Sequence, residues 1–291
     1  MIHVTELTKR YGETLALDRL TLEVPAGAVF GLLGPNGAGK TTFLRLVMGF
    51  AFGDAGQIER GGLRSASIGY LPERAFYPPR FSVNDYLTTL GKLSGLKGKA
   101  LRIAVQQRLE QVGLHQVAGR RLGACSRGML QRLGLAQALL GDPPLLLLDE
   151  PVLGLDPAAQ KFMREQIVAL QQAGKTVLLS SHHLDEVTRV CTHVAVLNQG
   201  RLVRCGALQD ILAPRPQVSI IAGPLPADLA AHLATLAPGT DVTEGQVILS
   251  GEAVALKTQV LRLLLDAGVD IRQLDERHAT LEEVYLEATG G

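Results

Sequence analysis

A chain of 291 residues is long enough for one large domain with a sizeable core, or for a large domain joined to a small one. Hydrophobic residues make up 46% and charged residues 20%, which places it among soluble globular proteins. A net charge of +1 excludes a global field that would draw the chain to nucleic acid or to acidic lipid, though local basic patches remain compatible with it. Its three cysteines, Cys125, Cys191 and Cys205, are far apart and odd in number, so neither a disulfide framework nor a zinc site is suggested and a reducing compartment is expected. Residues 1–12 lack the apolar stretch of a signal peptide, and no run approaches the ~18–20 apolar residues of a membrane span. Any membrane process served by this protein therefore needs another chain to cross the bilayer.

No element is assigned ahead of Val29. Residues 29–33 are short, apolar and ended by Gly34, the pattern of a buried strand. Residues 40–50 follow as a helix, with Phe43, Leu44, Val47 and Met48 at helical spacing. Strand, glycine loop and helix in that order suggest an α/β fold. Residues 91–102 mix lysines and glycines and read as a solvated face. A helix is expected over 130–140. Pro143-Pro144 precedes a second buried strand over 145–148, and residues 176–180 form a third. Between them, Asp156-Pro157 opens a helix, aspartate as its cap and proline in its first position. Asn198-Gln199-Gly200 joins 194–197 to 201–205 as a hairpin. Pro214-Arg215-Pro216 breaks the pattern and is the candidate linker. Beyond it, 218–222, 227–236, 246–249, 253–267 and 281–288 alternate strand-like and helix-like, enough for a small α+β domain.

The chemistry concentrates at Gly34-Pro35-Asn36-Gly37-Ala38-Gly39-Lys40-Thr41, which matches the P-loop pattern in full. Its glycines let backbone N–H groups turn inward around phosphate oxygens, and the helix that follows aims its positive end at the same anion. Lys40 would reach the β- and γ-phosphates, and the Thr41 hydroxyl would hold Mg²⁺. The 145–148 strand runs into Asp149-Glu150. A carboxylate at the end of a core strand beside a P-loop is where the second Mg²⁺-holding group belongs, and Glu150, one residue on, can polarise an attacking water.

Taken together these motifs resemble the nucleotide-binding subunits of ABC transporters, over roughly residues 1–212. The resemblance implies a P-loop NTPase of ABC type with a β subdomain and a helical subdomain of about 74–141. The ATP-binding domain would span 1–213 and a small C-terminal accessory domain 217–291. Residues 34–42, ending in Thr42, resemble the Walker A motif and 145–151 Walker B, with Asp149 and a catalytic Glu150. Leu153-Gly154-Leu155-Asp156 resembles the D-loop. Ser180-Ser181-His182 resembles the switch segment, making His182 the γ-phosphate sensor. Tyr11 sits where the family stacks an aromatic on adenine. Read alone, His182 could be an ordinary histidine and Tyr11 a packing aromatic.

Two positions depart from the family pattern. Glu73 stands where a glutamine is usual, and it offers an oxygen to Mg²⁺. Cys125-Ser126-Arg127-Gly128-Met129 stands in place of the usual signature, LSGGQ; Ser126 and Gly128 keep the hydroxyl and the bare amide, while Arg127 reaches either phosphate or solvent. In the family, the signature of one subunit covers the ATP held by the other. The resemblance thus implies a homodimer with ATP and Mg²⁺ as ligands, no nucleic acid, and a membrane-spanning permease contacted at the cytoplasmic face through residues 73–90. Phe76, Tyr77, Pro78, Pro79 and Phe81 in that segment either dock this partner or cover the protein's own core. Glu73 and the closing segment 279–286 are similar to exporter-type members handling drugs, polysaccharides or copper-site maturation. Alternatives are a non-transport ABC ATPase, disfavoured by the lack of sustained heptads between Lys40 and Ser126, and a weakly hydrolysing regulatory module.

Overall fold

The computed structural model describes residues 1–212 and 217–277, together with Leu281 and Tyr285. Its first elements are β1 (Ile2–Tyr11), β2 (Thr14–Val24), β3 (Val29–Leu33), α1 (Lys40–Met48), β4 (Ala55–Glu59) and β5 (Ile68–Leu71). β1, β2 and β4 pair antiparallel in the order β2-β1-β4, a sheet absent from the expected elements. Register shifts after Val4 and after Leu7 bulge β1 and break the period-two alternation by which a strand is read. Ile2, Val4 and Leu7 still reach the main core, beside Leu17, Leu20 and Val24 of β2. Helix α1 stops at Met48, short of the expected residue 50. Gly49 takes the left-handed conformation there and its N–H closes onto the carbonyls of Arg45 and Leu46.

Three helices follow: α2 (Val83–Leu93), α3 (Gly98–Gln111) and α4 (Arg127–Ala138). Residues 91–102 hold the end of α2 and the start of α3. Their lysines are exposed, but Leu101 is buried and closes onto bare Gly91, so this stretch is a packed helix junction as well as a solvated face. Helix α4 starts at Arg127, ahead of the expected residue 130, because the Ser126 side chain caps it by accepting the Met129 N–H at 3.2 Å.

The remainder of the large unit is β6 (Leu145–Asp149), α5 (Pro157–Gln172), β7 (Thr176–Ser181), α6 (Leu184–Val190), β8 (His193–Asn198) and β9 (Arg201–Ala207). With β3 and β5 the strands form a six-stranded sheet in the order β5-β6-β7-β3-β8-β9, parallel except for β9. β3, β6 and β7 are buried at every residue, so both faces of the sheet are covered there and the strands read as unbroken apolar runs. Asp156 caps α5 by accepting the Ala159 N–H at 2.8 Å, with Pro157 in the first turn. Gln199 and Gly200, with φ of 47° and 79°, make the tight turn between β8 and β9.

The chain divides into two compact units, the first Met1–Leu208 and the second beginning at Gln209. The short α7 (Leu208–Ile211) follows β9. The second unit then runs β10 (Gln217–Ala222), α8 (Ala227–Ala234), β11 (Thr240–Thr243), β12 (Gln246–Ser250), α9 (Lys257–Asp266) and β13 (Ile271–Arg277). Its antiparallel order β11-β12-β10-β13 with a βαββαβ connection is the split-βαβ, ferredoxin-like arrangement. β11 and β13 are strands the sequence pattern hid, the former four residues long and the latter a polar edge strand. The single helix expected over 253–267 is a 3₁₀ stretch, Gly251–Leu256, that leads into α9, and α8 ends at Ala234 instead of 236. The candidate linker Pro214-Arg215-Pro216 lies outside the described residues, as does most of 279–288. All three cysteines are free, and no helix among the described residues is long and apolar enough to cross a membrane.

Candidate active site

The parallel strands β6, β7 and β3 are neighbours, so the loops at their C-terminal ends meet on one edge of the sheet, the edge where open α/β sheets bind ligands. The loop after β3 carries the P-loop residues. A Cβ on Gly39, whose φ is +104°, would stand 2.5 Å from the carbonyl oxygen of Ala16 in β2, so only a bare backbone fits this approach. Pro35, Asn36, Gly37, Ala38, Gly39, Lys40, Thr41 and Thr42 line a cleft of about 550 Å³, joined on its rim by Glu73, Glu150 and His182. Gly34 contributes its carbonyl oxygen, which accepts from Lys40 Nζ at 2.6 Å, and Pro35 accepts at 3.2 Å.

Register places Asp149 beside Ser180 across β6 and β7. The Ser180 hydroxyl donates to Asp149 Oδ1 at 2.6 Å, and Thr41 Oγ1 donates to the same oxygen at 3.2 Å. Ser180 Oγ in turn accepts the Glu150 N–H at 2.9 Å. Glu150 departs from the strand with a left-handed φ of 48°, a conformation uncommon for a side chain of its size and concentrated at functional sites. The turn brings its carboxylate into the cleft. His182 Nδ1 lies 2.9 Å from Glu150 Oε1 and Lys40 Nζ lies 3.6 Å from the same oxygen, while Glu150 Oε2 is buried with no partner. The rings of His182 and His183 lie 4.1 Å apart.

Burial drives the electrostatics. It pushes the Lys40 ammonium below its ordinary value, against the opposing pull of Glu150, Asp149 and Glu73. It pushes the Asp149 carboxyl above its ordinary value, partly offset by the hydrogen bonds from Ser180 and Thr41. The arrangement brings the Lys40 ammonium and the Thr41 hydroxyl together with the carboxylates of Asp149, Glu150 and Glu73, chemistry suited to a polyphosphate with a hard divalent cation.

Other expected site residues lie elsewhere. Tyr11 is about half exposed, with the Lys9 ammonium 5.3 Å from its ring centroid, and it is outside the cleft lining; Thr14 and Ala16, just beyond it, line the cleft instead. Ser126, Arg127, Gly128 and Met129 occupy the start of α4 and do not line the cleft, and Asp156 is engaged in capping α5. Arg127 is exposed to solvent and outside the cleft lining, with its guanidinium against Gly154. Ser180 as the link between Asp149 and Glu150, and Arg74 and Leu153 as lining residues, were not foreseen. Serine pairs are common, and only the β6–β7 register gives Ser180 its importance.

Residues 17–153 match the ABC transporter family. The Nod factor export ATP-binding protein I of Paraburkholderia xenovorans (strain LB400) is 36% identical, with 99% of this chain aligned to 97% of that protein. The protein of the same name in Rhizobium sp. (strain N33) is 33% identical over the same shares. Among solved structures, an ATP-binding subunit of an ABC transporter superposes with a TM-score of 0.66 at 28% identity, covering 72% of this chain and 91% of that one. The fold is also that of a dimeric cassette described in a post-hydrolysis state with ADP and phosphate, at a TM-score of 0.65, 21% identity and coverage of 72% and 99%. With a relative above one-third identity along nearly its whole length, this chain belongs to the ABC transporter family as an ATP-binding subunit of the ABC ATPase class.

Proposed function

We propose that this chain is the ATP-hydrolysing motor of an exporter, acting as a homodimer at the cytoplasmic face of a membrane and held there by a separate membrane-spanning permease. The observation that carries the reading is the convergence of Lys40 and His182 on the Glu150 carboxylate at the P-loop cleft. The ATP triphosphate occupies the amide cradle of residues 34–42, with Lys40 exchanging the carbonyls of Gly34 and Pro35 for phosphate oxygens. Thr41 and Asp149 hold Mg²⁺, with Glu73 at the rim; their oxygens already share a hydrogen bond, which is the hard donor set this ion requires. Bound Mg²⁺ supplies charge neutralisation of the phosphates. Glu150 accepts the proton of the attacking water through Oε2, the atom left without a partner, while His182 holds Oε1. Tyr11 stacks on adenine from the β1–β2 turn.

Ser126, Arg127, Gly128 and Met129 lie away from the cleft of their own chain, which supports their facing the ATP of a sister subunit, with Asp156 in the same interface. The ATP-binding domain is taken as 1–213 and the accessory domain as 217–291, near the break between the compact units after Leu208, with the helical subdomain at about 74–141. Phe76, 84% exposed in segment 73–90, supports a docking surface for the permease, whereas Tyr77 packs inward and its hydroxyl donates to the Leu130 carbonyl of α4 at 2.9 Å. Export is favoured over import by relatives whose names state export and which align along the whole chain, the second unit included. The reading is tested by Glu150→Gln in the purified chain: size-exclusion chromatography with ATP and Mg²⁺ is expected to show a stable dimer holding ATP. A variant that stays monomeric overturns the sandwich.

A further inference from the structure

Two residues, His182 and His183, link the end of β7 to the start of α6, so the aim of the His182 ring depends on where α6 begins. The helix start holds itself weakly. His183 caps α6 with no side-chain bond, and the first intrahelical contact, Val187 N–H to the His183 carbonyl, is long at 3.4 Å. With only seven residues, α6 is too short to stand without tertiary support. Two contacts supply that support. Val187 is fully buried against Gly31 of β3, where an added Cβ would meet its Cγ1 at 2.9 Å. Glu186 Oε1 accepts from Arg164 Nη1 of α5 at 2.7 Å, and both side chains are largely buried.

The ion pair borders the reacting groups. Arg164 and Glu186 line one small cavity with Pro151 and Ser181, the chain neighbours of Glu150 and His182. The pair therefore touches the surroundings of both the turn that carries Glu150 and the link that carries His182. On the α5 side it is anchored by the Asp156 cap and by buried Met163 and Ile167, one residue before and three residues after Arg164. An ion pair at this depth adds little stability over apolar packing, whereas it does fix one helix against another in a defined geometry. That geometry matters at His182. An ionised Glu150 only accepts, so the 2.9 Å contact requires the imidazole proton on Nδ1, and a small displacement of α6 takes the ring out of hydrogen-bond range.

We propose that Arg164 and Glu186 are positioning residues for hydrolysis: their ion pair fixes the start of α6 and, through it, the hydrogen bond of His182 to Glu150. This rests on the reading of Glu150 and His182 as the hydrolytic pair, and the two are separable by experiment. NMR of the histidine-labelled, nucleotide-free chain reads position alone. The Nδ1–H of His182, identified by its loss in His182→Gln, is expected to exchange with water about tenfold faster in Glu186→Ala and in Arg164→Ala. It should keep the parent rate in Glu186→Gln, which retains an acceptor for Arg164. The double variant Arg164→Ala/Glu186→Ala removes the pair without stranding a charge and should match the single variants. Steady-state ATPase then reads the chemistry. Each alanine variant is expected to lower kcat about tenfold with KM for ATP within about twofold, and to lose nothing further in the His182→Ala background. Unchanged His182 exchange in Glu186→Ala and Arg164→Ala overturns the proposal. So does a double variant that returns to parent behaviour, since a stranded charge is then the whole effect. A full additional loss of kcat in the His182→Ala background also overturns it, because the pair then acts by another route. Full kcat in His182→Ala alone defeats the hydrolytic reading of that residue, while the exchange result still decides what the ion pair positions.

Discussion

The six-stranded sheet and the four-stranded sheet of the second unit present their residues in opposite ways. In the six-stranded parallel sheet, β3, β6 and β7 are covered on both faces, and polarity breaks out only at the strand ends, where Asp149, Ser180 and Ser181 sit buried among hydrogen-bond partners. In the antiparallel sheet of the second unit, Val218, Ile220, Val247 and Leu249 point to a core shared with α8 and α9, while Ser219 and Gln246 bond to each other on the opposite face. The first sheet concentrates chemistry at an edge, whereas the second spreads polar groups along a face. The lesson is that a parallel sheet, having no wet face, gathers its function where the strands stop.

Breaking the larger half of that comparison is the strongest test. Lys40→Ala should reduce ATPase activity by about 10²–10³-fold, the scale of losing a preorganised cation at developing phosphate charge, as measured by phosphate release. Next, Leu249→Ala opens a cavity in the second core at a residue with no exposure. It should cost about 2–5 kcal/mol in that unit, seen as an early transition on calorimetry, with kcat within about twofold of the parent. Leu147→Ala, equally buried in β6, should instead remove stability and ATPase together. If both variants shift one common transition, the two units unfold as one body.

A smaller effect sharpens the electrostatic side. The Asp149 carboxyl is raised above 3.8 by burial, so the folded chain holds more protons than the unfolded one between 3.8 and the raised value. Stability that is present below this window is lost as pH rises through it. Asp149→Asn keeps an acceptor for Ser180 and removes the charge; it should abolish that slope in melting temperature against pH, raise the Tm of the nucleotide-free chain at neutral pH by about 2–4 °C, and remove Mg²⁺-dependent hydrolysis. The smallest expected change is Ser82→Ala, which loses the 3.0 Å cap to the Asp85 N–H of α2 and should cost about 1 kcal/mol in denaturant unfolding while ATPase stays unchanged.

Legibility followed the same division. The runs over 29–33, 145–148 and 176–180 were readable because full burial leaves an unbroken apolar stretch, and the P-loop because its glycine spacing tolerates little else. β1 was unreadable because bulges shift its alternation, and β13 because Arg272, Gln273 and Asp275 give an edge strand the look of a loop. Helix α4 starts ahead of the expected residue 130 because its boundary is the Ser126 cap.

The phosphate cradle, the paired acids after β6 and the family were legible from residue types in short consecutive spacing and from local backbone freedom. Folding was needed to join Asp149 to Glu150 through Ser180, to set His182 and Lys40 about one oxygen, and to bring Arg127 against Gly154. Each of these pairs residues far apart in the chain, and such contacts follow from strand order and helix placement, which no local pattern of side chains encodes.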